Sequence, residues 1–216
     1  MTPNVYVFIH PGDRSRVARL GFGICLLGWK TEKDAVFCPR KKTKCDLIYA
    51  DVSAGCGGTE EIIFEEAKKL GAKGVFLDGN ESSPEITELA AGLRSRELEV
   101  FASVEAGNCA NFVTQEKGEH RFVSPRRHKT SISISGKTVK SLISREQLEA
   151  LIQKLCPKEN YSEELGSNYF SSKSKSETLF VVYDTPETFR RRISSCNAQN
   201  VFLEMSSVKE YLTEGK

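Results

Sequence analysis

The chain has 216 residues, 39% apolar and 28% charged, with a formal charge of +2. That is the balance of an ordinary globular protein of one or at most two domains, and it excludes a disordered chain. No apolar run approaches the roughly 20 residues that cross a bilayer, and the N-terminal MTPNVYVFIHPG has no basic segment ahead of its apolar run. The expectation is a cytoplasmic protein of bacterial origin with no membrane partner.

In chain order, short β-rich runs alternate with helical patterns, the signature of βα units around a mostly parallel sheet. Residues 5–9 (VYVFI) form the first strand and end at His10-Pro11-Gly12. Residues 23–29 and 35–38 follow closely enough to be a hairpin or a distorted second unit, and 46–52 is the third strand. A helix over 60–70 has Thr59 at its N-cap, Glu60 and Glu61 in its first turn and Gly71 past its end. Strand 74–78 leads to a helix that Ser83 caps and Pro84 starts, and 100–104 is the fifth strand. The stretch from Ala106 to Arg127 shows no clear period.

Residues 130–135 alternate with period two and predict a sixth strand. Ser144 and Gln147 make a capping box before Leu148, Leu151, Ile152 and Leu155. Residues 156–177 read as a long surface loop, 179–183 as the seventh strand and 201–204 as the eighth, with helices opening at Thr185-Pro186 and around Val208. Eight such strands predict a small (β/α)8 TIM-type barrel, irregular at its N-terminal strands and spanning 1–216 as one domain. An open doubly wound sheet is the other architecture this pattern allows. On the barrel reading Val7, Ile48, Phe76, Phe101, Ile132, Val181 and Phe202 are all buried in one sheet.

Seven cysteines with no C-x-x-C pattern predict reduced thiols rather than disulfides or a zinc site. No metal and no cofactor is expected. The basic clusters at 40–44, 125–129 and 189–192 are short and scattered, so they read as solvated faces, and nucleic acid is the least favoured partner.

Chemistry in a parallel barrel sits at the carboxyl ends of the strands. Those positions hold His10, Asp51, Asp78 with Glu81, Glu105 with Asn108, Tyr183 with Asp184, and Glu204. Converging carboxylates repel, so such a set suits either glycoside hydrolysis by a pair of acids or a hard cation. The loop 53–59 reads as a tight glycine turn, with anion binding at the following helix as its other reading. Cys56 in that loop is a candidate nucleophile only if its thiol is acidified.

Residues 180–189 (FVVYDTPETF), followed by 200–204 (NVFLE), resemble the last two β/α units of family 18 glycoside hydrolases, the chitinase-like barrels. Residues 71–79 look like the approach to that family's fourth strand. The resemblance implies a barrel, a glycan as ligand, and catalytic acids among Asp78, Glu81, Glu105 and Asp184. His10, Asp51, Asn108, Tyr183 and Glu204 would then bind substrate.

The family motif D-x-x-D-x-D-x-E is not matched. With Glu81 as the final acid, the preceding acids fall on Gly79 and Leu77; with Asp78, they fall on Phe76 and Gly74. Leu203 stands where the family carries a sugar-stacking Trp. The functional expectation is a glycoside hydrolase-like barrel, or an inactive barrel that binds a glycan or a protein through the same face.

Overall fold

Tyr6 and Phe8 alternate with Val7 and Ile9 along the first strand, so one set of side chains meets the ring of strands and the other its outer layer. The computed structural model describes residues 2–32, 35–115 and 118–212. Its first elements are β1 (Asn4–Ile9), α1 (Arg14–Ala18), β2 (Gly23–Glu32), β3 (Ala35–Phe37), β4 (Leu47–Ala54), α2 (Glu60–Leu70), β5 (Gly74–Asp78), α3 (Pro84–Ser95), β6 (Glu99–Ala102), β7 (Asn111–Thr114) and β8 (His120–Phe122). There follow β9 (Arg127–Ser133), β10 (Thr138–Leu142), α4 (Arg145–Leu155), β11 (Asn160–Ser162), β12 (Ser167–Lys173), β13 (Glu177–Tyr183) and α5 (Pro186–Ser194). β14 (Asn200–Glu204) and α6 (Met205–Tyr211) complete the order. The chain divides into two compact units, Met1–Val123 with Cys196–Val208 and Ser124–Ser195 with Lys209–Lys216.

The first unit is a closed barrel. Strands β1, β2, β4, β5, β6, β7, β8 and β14 pair in that order, all parallel, and β14 returns to β1. β3 hangs on β2 as an antiparallel hairpin partner, which makes the N-terminal part irregular as the sequence suggests.

Inside, Phe8, Cys25, Leu47, Phe76, Phe101, Val113 and Phe202 are buried, with Tyr6, Tyr49 and Phe122 packed against them. Phe76 meets Phe8 edge-on at 5.0 Å and Phe202 at 5.2 Å between ring centroids. Each aromatic ring buries on the order of 150–250 Å², so rings rather than polar groups fill the lumen.

Local chemistry sets the outer helices. Ser83 accepts from the Ile86 N–H at 3.2 Å and caps α3, and Gly71 ends α2 at φ 67°. Thr59 stands at the N-cap of α2 as predicted, but its side chain makes no capping bond. Its hydroxyl donates instead to the Cys56 carbonyl at 2.7 Å, which also accepts from the Thr59 N–H at 3.4 Å. Gly74 is required by close approach: a Cβ there would lie 2.2 Å from the Glu99 carbonyl oxygen on the neighbouring strand.

The second unit is a five-stranded antiparallel sheet of order β10-β9-β13-β12-β11. Phe170, Leu179, Val181 and Tyr183 on one of its faces pack against Leu148, Leu151, Ile152 and Leu155 of α4. The Ser144–Gln147 capping box opens α4, and Thr185 with Thr188 makes another at α5.

This sheet corrects two strand assignments. The runs at 130–135 and 179–183 are strands, but they are β9 and β13 of the second unit and not the sixth and seventh barrel strands. Val7, Ile48, Phe76, Phe101 and Phe202 are buried in the barrel; Val181 is buried in the other sheet, and Ile132 is 41% exposed. The barrel closes through β7 and β8, which lie in the stretch without a clear period. They have only four and three residues, too short to display an alternation. The expected surface loop at 156–177 likewise carries β11 and all of β12, whose serines and asparagines pair through backbone rather than through apolar side chains.

Candidate functional site at the barrel mouth

Asp78 closes β5 at the carboxyl end of the barrel, two residues beyond the inward-facing Phe76. Both of its oxygens are held by neighbouring strands. The Tyr49 hydroxyl of β4 donates to Oδ2, and the Ser103 hydroxyl, just past β6, donates to Oδ1. Ser103 Oγ in turn accepts from the Gly79 N–H at 3.1 Å. Burial, with the Asp78 carboxylate next, pushes the Tyr49 phenol far above its ordinary value, so it remains a proton donor across the working pH range.

Asp51 stands beside Asp78 in the β4–β5 register. Its Oδ1 accepts from the Ser53 N–H at 3.0 Å and from the Ser53 hydroxyl at 2.5 Å, which folds the chain back at the end of β4. Glu204 ends β14 beside Phe8 of β1, and its Oε2 accepts from Ser206 at 3.1 Å. His10, Glu105 and Glu81 are exposed in the segments that follow β1, β6 and β5. Asn108 lies in the turn after β6, where its carbonyl accepts from Arg94. The barrel thus delivers Asp51, Asp78 and Glu204 to strand ends at its mouth, while His10, Glu81, Glu105 and Asn108 occupy the loops leaving it.

Tyr183 and Asp184 belong elsewhere. Their strand, β13, is in the antiparallel sheet of the second unit, so no seventh barrel strand carries them to this mouth. Asp184 has a fully buried side chain paired with Arg192, and it also accepts from the Arg126 N–H at 2.9 Å and from Ser167 at 2.7 Å. Those partners consume its charge locally, as a structural acid requires. Tyr183 is buried against Phe170 in the core of the same unit.

The 53–59 loop is a tight turn. Gly55 and Gly58 have φ of 112° and 70°, and Thr31 donates to the Gly55 carbonyl at 2.7 Å. Glu60 at the start of α2 pairs with Arg96 at 2.8 Å. Burial pushes the Cys56 thiol up to about 11, the wrong direction for a nucleophile. All seven cysteines are unpaired. Among the described residues no group of three or more His, Cys, Asp or Glu could hold a metal ion, and no helix is long and apolar enough to cross a membrane.

Sequence reasoning passed over Tyr49 and Ser103. The signal was there in the period: Tyr49 is two residues before Asp51, on the inward set of an otherwise aliphatic strand, and Ser103 is two beyond Phe101.

No family model matches the sequence, and no curated protein matches it. Solved structures do match in fold. The spore cortex-lytic enzyme SleL of Bacillus cereus superposes with a TM-score of 0.60 at 9% identity, covering 93% of this chain and 70% of that one. The chain shares the eight-stranded β/α-barrel fold of this enzyme. The class V chitinase of Nicotiana tobaccum gives 0.54 at 8% identity over 92% of each chain. The chitinase of Chromobacterium violaceum gives 0.51 at 9% identity over 97% of this chain and 99% of that one. At such identities the likeness is one of fold, and chemistry rests on the residues of this chain.

The family's acidic string is missing for a physical reason. Aligned on Asp78, its two inner positions are Phe76, locked in the aromatic lumen, and Gly74, where any side chain would strike the Glu99 backbone. Aligned on Glu81, they are Leu77, fully buried, and Gly79, whose Cβ would press on Ile86 at 3.1 Å.

Proposed function

We propose that the barrel recognises a glycan at the mouth around Asp78 and holds it without the hydrolytic chemistry of the chitinase-like barrels. The observation that carries this reading is the Tyr49–Asp78–Ser103 arrangement, in which hydroxyls from both neighbouring strands fix the carboxylate at the strand end. A carboxylate so oriented accepts sugar hydroxyls, and Asp51 and Glu204 widen the acceptor surface. The fold likeness supports the ligand class: one of the matching structures, a Nicotiana tobaccum class V chitinase variant with a TM-score of 0.55, is in complex with NAG4.

Hydrolysis is the second reading, favoured by Asp51 standing in register beside Asp78, since glycosidases act with two carboxyl groups. Glu105 and Glu81 are the other acids near enough in the chain to serve it.

Titration calorimetry with N-acetylglucosamine tetramer and with a soluble peptidoglycan fragment separates the two. Binding of either, at least tenfold weaker in Asp78→Asn and Ser103→Ala, with no release of reducing ends, is the expected result. Reducing ends released by the parent chain and not by Asp78→Asn would establish hydrolysis instead. Binding that both variants leave unchanged would remove Asp78 from the account altogether.

A further inference from the structure

The five-stranded sheet is covered on one face only. α4 packs on the face that carries Phe170, Leu179 and Val181. Tyr161, on the same face, meets α5 through Arg191, whose guanidinium lies 5.4 Å from the ring centroid. The register fixes what stands on the other face. One row across four strands runs Lys140, Thr130, Phe180 and Ser171. Rows on either side bring His128 beside Tyr169's strand neighbour Val182, and Lys173 to the far end of β12.

On this face Lys140 and Lys173 stand among the exposed Ile132 and Leu142 and the half-buried Phe180 and Val182. No strand position on it is a carboxylate, and Asp184, just past β13, is already paired with Arg192. Two further lysines, Lys137 and Lys175, sit in the hairpin turns at one end of the sheet, where the Ile134 N–H bonds the Ser176 carbonyl at 3.2 Å. Among the described residues none of Lys137, Lys140, Lys173 and Lys175 is in an ion pair. Residues 124–195 hold 13 lysines and arginines against 8 aspartates and glutamates, whereas the rest of the chain holds 18 against 21. Four of those 13, Lys137, Lys140, Lys173 and Lys175, lie on the open face or in the turns at its end, and the complement of such a group is an anion.

We propose that this face binds an anionic polysaccharide, with its carboxylates on Lys140 and Lys173 and its sugar rings against Tyr169 and Phe180. Those rings are half-buried, 5.6 Å apart and tilted by 41°. They present an apolar ledge rather than the flat plane on which a nucleic-acid base stacks. Both cations in the strands of this face are lysines, and neither is the arginine fork that suits phosphate. Thr130 and Ser171, between the lysines, can each donate and accept, as sugar hydroxyls demand. Lys140 and Lys173 are three strand steps apart, about 14 Å across the sheet, so the ligand is a polymer and not a single sugar.

The proposal is independent of the barrel mouth, and its test uses the whole chain. Polygalacturonate is titrated at about 0.05 M and about 0.3 M salt, across which exposed charges become strongly screened. The expected result is binding that weakens about tenfold with salt and about tenfold again in Lys140→Glu/Lys173→Glu, and that weakens in Tyr169→Ala. Circular dichroism verifies that each surface variant is folded. Failure to bind polygalacturonate, indifference to the double charge reversal, or tighter binding of a thymidine oligonucleotide than of polygalacturonate overturns it.

Discussion

The Tyr49 hydroxyl of β4 donates to Oδ2 of Asp78 on β5, joining adjacent barrel strands at the mouth through side chains as well as backbone. Because burial and the carboxylate both hold the phenol protonated, this is a one-way bond with Asp78 as acceptor. A double-mutant cycle of Tyr49→Phe with Asp78→Asn, read by denaturant unfolding, should give a coupling of about 1.5–3 kcal/mol, the range for hydrogen bonds to charged groups. Additive single and double variants would mean that the bond does not form in solution.

Asp184 behaves oppositely under the same change. Its side chain is buried with Arg192, Ser167 and the Arg126 N–H around it, so Asp184→Asn leaves the half-buried Arg192 guanidinium without its counter-charge. The loss expected is about 3 kcal/mol or more, with glycan binding unaffected. Asp78→Asn, at the half-buried carboxylate of the proposed site, should cost little or even stabilise. Equal losses for the two variants would contradict the division of these acids into a structural one and a site one.

His120 gives the barrel a pH dependence. Asn4 donates to Asn200 Oδ1 at 3.1 Å, which turns the Asn200 amide nitrogen toward His120 Nδ1 at 3.0 Å. Nδ1 is therefore the acceptor, and the ring is neutral with its proton on Nε2. Burial lowers the His120 pKa, so the unfolded chain binds its proton first. Stability from this group is complete above about pH 6.5, the ordinary histidine value, and is lost as pH falls toward the lower folded value. Melting temperatures from pH 7.5 to 5 should fall in the parent chain and fall less in His120→Gln. A parallel decline in both would assign the effect to other groups.

Gly74 reports on closure of the lumen. A methyl group there meets the Glu99 carbonyl oxygen at 2.2 Å, and both residues lie in paired barrel strands that cannot separate without breaking the β5–β6 ladder. Gly74→Ala should destabilise by about 2 kcal/mol, within the range for overpacking a tight interior. Gly12→Ala, at a position with open space around it, is the control that should cost far less.

The sequence carries the barrel in the strands that are long and apolar. β1, β4, β5, β6 and β14 each alternate or run apolar long enough to announce themselves, and the aromatic set Phe8, Phe76, Phe101 and Phe202 follows from their phase. β7 and β8 do not, because they are short and their Asn111, Thr114, His120 and Arg121 interrupt any apolar run that would separate a strand from a loop. The strong alternation at 130–135 then drew the count of eight onto a second sheet. Alternation reports that one face of a strand is covered and says nothing of which sheet it joins.

The same limit governs the site. Asp51, Asp78 and Glu204 were legible because their strands were correctly placed, while Asp184 was misplaced together with β13. Tyr49 and Ser103 escaped notice because a hydroxyl becomes informative only when the register shows which carboxylate it faces.

Ring-labelled tyrosine NMR reads out whether the mouth around Asp78 receives a glycan. On addition of N-acetylglucosamine tetramer or the soluble peptidoglycan fragment, the Tyr49 resonances should move in a saturable way in the parent chain and stay fixed in Asp78→Asn. Tyr183, in the core of the second unit, should not respond. Saturable shifts at other tyrosines with Tyr49 silent, or Tyr49 shifts that persist in Asp78→Asn, would contradict the account.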